Sequence, residues 1–216
     1  MAISETKEVV LNDPLTEQEL GADPIKTCSH WLDMAYARSQ MEHPNAVCLS
    51  TVGEDGWPEG RIVLVKSVDS RGLVFFTNYR SSKARALAYA PRAALTFYWP
   101  DLHRQVRVRG RVEEVDSEES DAYFRTRPRG SQISAWASDQ SQILESRHAL
   151  EDQRREIEER FQGDEVPRPD HWGGYLLRPD EIEFWQGRDD RFHDRFLFCR
   201  RDVNEVVGWG VQRLSP

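Results

Sequence analysis

The chain has 216 residues, enough for one domain with a substantial core, and 31% of them are charged. Its 29 Lys and Arg against 37 Asp and Glu leave a formal net charge of −8. That balance excludes a general nucleic-acid binder, which carries a basic field, so any anion site must be a local cluster of cations.

Residues 1 to 22 are polar and without strong period, which predicts a mobile N-terminal arm ahead of a single domain over 23–216. Asp23 followed by Pro24 has the form of a helix start, an N-cap acceptor with proline at the first helical position. Ile25, Cys28, Leu32 and Ala35 then recur at helical spacing, predicting a helix to about Gln40. "AVCLSTV" (46–52), "RIVLVKSV" (61–68), "GLVFFTN" (72–78), "AALTFYW" (93–99) and "RQVRVRGRVEEV" (104–115) read as strands joined by short connections. No helix long enough for a parallel crossover separates them, so the fold class is mainly β with added helices, an antiparallel meander or barrel.

Asp116 caps a predicted helix that begins "SEES", with Glu119 placed as in a capping box. "SQISAWASDQSQ" and "ESRHALEDQRREIEERF" read as helices, the second a solvated face with i,i+4 ion pairs. "GGYLLR" and "IEFWQG" read as a hairpin around "PDE". In the following "RFHDRF", strand alternation sets Arg191, His193 and Arg195 on one face and Phe192, Asp194 and Phe196 on the other.

Cys28, Cys48 and Cys199 are odd in number and lack C-x-x-C spacing, and the six His are scattered, so neither a disulfide framework nor a metal site is expected. No apolar run approaches the ~20 residues of a bilayer span. "MAISETKEVVLND" has no signal-peptide pattern, and a cytoplasmic, reducing location is expected. Dinucleotide, P-loop, serine-hydrolase and zinc-protease motifs are absent.

Three places combine cations with small donors, as a phosphate site requires. "RIVLVK" with "FFTNYRSSKAR" brings Arg61, Lys66, Thr77, Ser81, Ser82 and Lys83. "YFRTRPRGSQ" brings Tyr123, Arg127, Arg129 and Ser131. "EFWQGRDDRFHDR" brings Trp185, Arg188, Arg191, His193 and Arg195.

Taken in order with "RQVRVRG", "WASDQS", "WGGY" and the terminal "RLSP", these motifs resemble the pyridoxamine 5'-phosphate oxidase family over roughly residues 45 to 200 and the C-terminal tip. The resemblance implies an antiparallel split β-barrel that binds FMN at a homodimer interface. It implies oxidation of pyridoxamine 5'-phosphate or pyridoxine 5'-phosphate to pyridoxal 5'-phosphate, with O2 as acceptor and hydrogen peroxide as product. The family's FMN residues carry over to Arg61, Ile62, Val63, Leu64, Val65, Lys66, Phe76, Thr77, Ser82, Lys83, Gln105, Gln140, Ser141, Trp185 and Arg195. Its substrate residues carry over to Lys66, Tyr123, Arg127, Ser131, Arg191 and His193, the last two nearest the chemistry. Two positions depart from the family pattern. Ser82 stands where an Arg is usual, with Arg80 two residues earlier, and "KEVVLND" lacks the arm's usual Arg-x-x-Tyr. Those departures leave room for a phenazine-biosynthesis type oxidase, and split barrels also serve as FMN- or pyridoxal-phosphate-binding proteins without turnover.

Overall fold

The computed structural model describes residues 14–203 and 206–216. Eight strands form one antiparallel sheet in the order β3-β2-β1-β4-β5-β6-β7-β8, and a further β3–β6 pairing closes the first six into a barrel. The strands are β1 (Ala46–Val52), β2 (Pro58–Asp69), β3 (Gly72–Asn78), β4 (Arg92–Trp99), β5 (Arg104–Glu114), β6 (Trp172–Gln186), β7 (Asp194–Val203) and β8 (Val206–Arg213).

Period-two patterning builds the wall. In β5, Val106, Val108 and Val112 are buried while Arg107, Arg109 and Arg111 are exposed. Leu49, Phe75, Leu95, Phe97, Trp99, Ile182 and Phe184 fill the interior. Helix α2 (Pro24–Arg38) packs on this core through Ile25, Cys28, Trp31, Leu32 and Ala35, and the Trp31 ring meets Phe184 edge-on at 5.1 Å. It starts as the sequence predicts, with the Asp23 carboxylate accepting from the N–H groups of Ile25 and Lys26. Burial pushes the Cys28 thiol up to about 12, so this cysteine is a packing residue with no nucleophilic role.

Residues 14–22 differ from the expected arm. Helix α1 (Glu17–Leu20) carries a capping box between Thr16 and Glu19, and Leu15 and Leu20 join the main core. Buried Asp194 anchors this segment by accepting from the Leu15 N–H at 3.0 Å and from Arg213 at 2.7 Å.

β6 is one 15-residue strand, not a hairpin. Pro179 pairs with Gly110 and Glu181 with Arg109, so Asp180 is an extra residue in a bulge that bends the strand without reversing it. Gly110 is required there, because a Cβ would lie 1.9 Å from the Arg178 carbonyl oxygen. Gly110→Ala is expected to cost about 1–3 kcal/mol. Thermal unfolding checks this, and an unchanged midpoint would show that the bulge relaxes freely.

Four helices complete the chain: α3 (Ser82–Tyr89), α4 (Ser117–Thr126), α5 (Arg129–Ala137) and α6 (Arg147–Arg160). A second, smaller core of Phe124, Ile133, Ala135, Phe161, Val166 and Trp172 packs α4 and α5 beside the start of β6. Asp116 caps α4 as expected, but the Glu119 carboxylate leaves the box and pairs with Arg71. α6 buries no residue and carries the expected i,i+4 pairs Arg147–Glu151 and Arg154–Glu158. None of the described helices is long and apolar enough to cross a membrane.

Candidate active site

A cleft of about 610 Å³ opens between the barrel wall and the layer of α4 and α5. From the barrel it receives Ile62, Val63, Leu64, Lys66, Phe76 and Thr77; from the helices, Lys83, Tyr123, Arg127 and Ser131; from the loop after α5, Gln140. Eleven residues expected at the site are therefore brought together. Lys66 sits at a register shift between Val65 and Ser67, and the bulge helps aim its side chain out of the wall. Val65, its neighbour, points into the core instead.

Lys83 lines the cleft. "RSSK" runs from a turn into the start of α3, for which Ser81 is the N-cap residue without a side-chain cap. The Lys83 ammonium is buried and donates to Thr77 Oγ1 (3.1 Å), Ser81 Oγ (3.1 Å) and Gln140 Oε1 (2.7 Å). All three acceptors are neutral, and no carboxylate pairs with it among the described residues. Burial, then the nearby Arg61 charge, lowers its pKa to about 8. Two cations close enough to repel each other, one of them without a counter-ion, make a site for an anion. Arg61 itself does not line the cleft; it donates to Thr51 Oγ1 and pairs with Glu59 at 2.6 Å. Ser82 and Ser141 hydroxyls approach each other at 3.4 Å, with Ser141 in a left-handed conformation (φ 71°).

Arg127 defines a second anion position. It has no carboxylate partner among the described residues, and its Nη1 is buried without a hydrogen bond. Its pKa is lowered by burial, yet a guanidinium stays charged. Tyr123 and Ser131 line the cleft with it. Arg129, grouped with them in the sequence, turns away and donates to the Phe161 and Asp164 carbonyls.

The remaining residues form a separate cluster. Gln105 pairs with Trp185 across β5 and β6, and Trp185 with Arg195 across β6 and β7. The His193 ring lies 4.7 Å from Trp185, and its Nδ1 accepts from the Arg188 N–H at 3.0 Å. Arg195 donates to buried Glu183 and to the Ser215 carbonyl. β6 lines the cleft at its first residue, Trp172, whereas Trp185 lies thirteen residues further along the same strand. At ~3.3 Å per residue that is roughly 40 Å of strand path.

The expected strand through "RFHDRF" holds only from Asp194 onward. Asp189–Arg191 is a 3₁₀ turn, and consecutive left-handed residues Asp190 (φ 53°) and Arg191 (φ 62°) throw the chain outward. Phe192 is consequently 77% exposed, not inward-facing. The turn, not strand alternation, places Arg191.

Sequence reasoning missed Trp172, Asn78 and Ser138 among the lining residues. Trp172 was visible only as a letter of "WGGY". The arm motif "KEVVLND" lies outside the described residues.

Residues 35–161 match the model of the family described as pyridoxamine 5'-phosphate oxidase. The chain belongs to the pyridoxamine 5'-phosphate oxidase family. Residues 172–216 match the family's C-terminal dimerisation region, described for pyridoxine 5'-phosphate oxidase. A pyridoxine/pyridoxamine 5'-phosphate oxidase from Burkholderia lata is 53% identical over 94% of this chain and 93% of its own. One from Burkholderia orbicola is 52% identical over the same shares. Among solved structures of this family, PhzG from Burkholderia lata, in complex with tetrahydrophenazine-1-carboxylic acid, is 31% identical with a TM-score of 0.85. It covers 94% of this chain and 98% of its own. A related FMN-binding protein from Nostoc punctiforme, 20% identical with a TM-score of 0.69 over 88% and 96%, shares the fold.

Proposed function

We propose that the protein oxidises pyridoxamine 5'-phosphate or pyridoxine 5'-phosphate to pyridoxal 5'-phosphate, with FMN as cofactor, O2 as electron acceptor and hydrogen peroxide as product. The observation that carries this reading is a pair of cations, Lys83 and Arg127, lining one cleft with no carboxylate among the described residues to neutralise them. A phosphorylated cofactor beside a phosphorylated substrate supplies two such anions. The chemistry that bound FMN would supply is two-electron redox: hydride acceptance from the substrate's 4' carbon, with reoxidation by O2.

The residues present suit both ligands. Lys83, Thr77 and Gln140 would hold the flavin, with Ile62–Leu64 offering a strand edge and Ser82 and Ser141 further hydroxyls. Lys66, Tyr123, Arg127 and Ser131 would clamp the substrate phosphate, fixing the reacting carbon by charge-assisted hydrogen bonds. Arg191 and His193 would cover the pyridine ring. Accepting from Arg188 leaves the His193 Nε2 as the nitrogen free to donate a hydrogen bond to the ring's substituents.

Gln105, Trp185, Arg191, His193 and Arg195 gather at the end of β6 opposite to Trp172, away from a ligand in their own chain's cleft. The reading therefore requires a homodimer in which each site takes its cleft from one chain and this cluster from the other. Co-expressing Arg127→Ala and Arg191→Ala chains tests that arrangement. Each variant alone is impaired, whereas a mixed dimer has one site free of both changes, so roughly a quarter of the sites in a random mixture recover. Activity no better than the two variants measured separately would place both residues in one chain's site.

The likeness to the tetrahydrophenazine-bound structure favours one rival, a phenazine-biosynthesis type oxidase of another aromatic substrate. Anaerobic addition of pyridoxamine 5'-phosphate to the FMN-loaded protein distinguishes them. Bleaching of the oxidised flavin band, followed by peroxide on admitting air, is expected. Bleaching by a tetrahydrophenazine carboxylate but not by the vitamer would overturn the reading, and no bleaching by either would leave a binding protein.

A further inference from the structure

Resting on that reading of the cleft, we propose that Trp172 is a positioning residue for substrate-phosphate recognition, acting through Arg127. A guanidinium that must receive an anion cannot be held in place by a carboxylate, because the pair would neutralise the site. Arg127 is held by an aromatic face instead. Its guanidinium carbon lies 4.5 Å from the Trp172 ring centroid and 5.5 Å from that of Phe124. That contact fixes the plane of the guanidinium while leaving its N–H groups for a ligand.

The platform is itself well anchored. Trp172 is buried, and its ring is nearly parallel to Phe76 (5.5 Å, 12°), which stacks in turn on Tyr123 (4.0 Å, 19°). Gly174 makes room for that stack, since a Cβ there would lie 2.7 Å from Phe76. Arg168 donates to the Trp172 carbonyl at 2.6 Å and also binds Asp121 and Ser117. It thereby ties the platform to α4, the helix that carries Tyr123 and ends at Arg127. The "WGGY" motif thus becomes a device that sets the angle of the anion clamp.

The test uses the FMN-loaded protein and calorimetric binding of pyridoxal 5'-phosphate and of pyridoxal. Trp172→Leu is expected to weaken pyridoxal 5'-phosphate by about 5- to 30-fold, the range for a desolvated cation–π contact. Pyridoxal affinity and FMN affinity should each change less than about twofold. Trp172→Phe retains a ring and should recover most of the loss. In an Arg127→Ala background, Trp172→Leu should have no further effect on pyridoxal 5'-phosphate, because its action runs through the missing side chain. An equal loss in that background, or an equal loss of pyridoxal, would overturn the proposal. If the leucine variant does not fold, Trp172→Phe decides: an intermediate loss confined to the phosphorylated ligand supports the role, and no such bias overturns it. A wild-type protein that binds pyridoxal 5'-phosphate no better than pyridoxal removes the clamp altogether. One that binds it selectively but oxidises no vitamer overturns only the proposed activity.

Discussion

Arg127→Ala is expected to raise the Michaelis constant for pyridoxamine 5'-phosphate on the order of 10- to 100-fold, with FMN content within about twofold of normal. A charge-assisted hydrogen bond contributes roughly 1.5–3 kcal/mol, which converts to that range. The selectivity for substrate follows from bonding: Lys83 joins Thr77 and Gln140 in one network, and Arg127 has no hydrogen bond to it among the described residues. The ligand-free protein should lose little stability, about 0.5–2 kcal/mol for the ring contacts to Trp172 and Phe124. The substitution removes a half-buried cation whose Nη1 has no partner among the described residues, so that loss is not increased by a broken hydrogen bond at that atom. Steady-state kinetics, flavin absorbance and thermal unfolding together check the result. Loss of flavin at an unchanged Michaelis constant would mean that the two anion positions are interchanged.

Lys83→Met is expected to weaken FMN binding by about 10- to 100-fold, and the wild-type affinity should itself depend on pH. The ammonium is buried, bonded only to neutral acceptors and pushed down to about 8. A bound phosphate needs the charged form. FMN affinity should therefore be full below pH 8 and fall as pH rises past it, in a window above the second phosphate pKa of ≈ 6. The stability of the FMN-free protein should move in the opposite direction. Between about 8 and the ordinary lysine value of 10.5, the unfolded chain binds the proton and the folded chain does not, so this group makes stability rise with pH. Lys83→Arg keeps its charge across the range and should flatten the affinity curve. Fluorescence titration of FMN from pH 7 to 9.5 measures it; a flat wild-type curve would show that Lys83 does not face the phosphate.

Much of this was legible in the chain because it is local. Apolar runs bounded by turn residues defined β1 and β3 at their observed bounds, period-two alternation defined β5 to within a residue, and the Asp23 and Asp116 caps placed the starts of α2 and α4. These features depend on the residue and its near neighbours: side-chain direction reverses at each strand position, and a cap reaches only two or three residues. The order and spacing of motifs likewise carried the family and eleven of the cleft residues. Where the sequence misled, a distant contact had decided the outcome. "PDE" resembles a turn until Gly110, some seventy positions upstream, allows the Pro179 backbone to pass beside it as a bulge. The Leu15 segment looks like a free arm, yet Asp194 and Arg213 from the far end of the chain hold it down. "RFHDRF" alternates on paper, but the left-handed turn at Asp190 and Arg191 breaks the strand before it begins. Trp172 under Arg127 follows from closure of β3 on β6, which brings the start of β6 to the cleft and leaves Trp185 near the strand's other end. Closure joins residues about a hundred positions apart, and only the packed chain specifies which faces then meet.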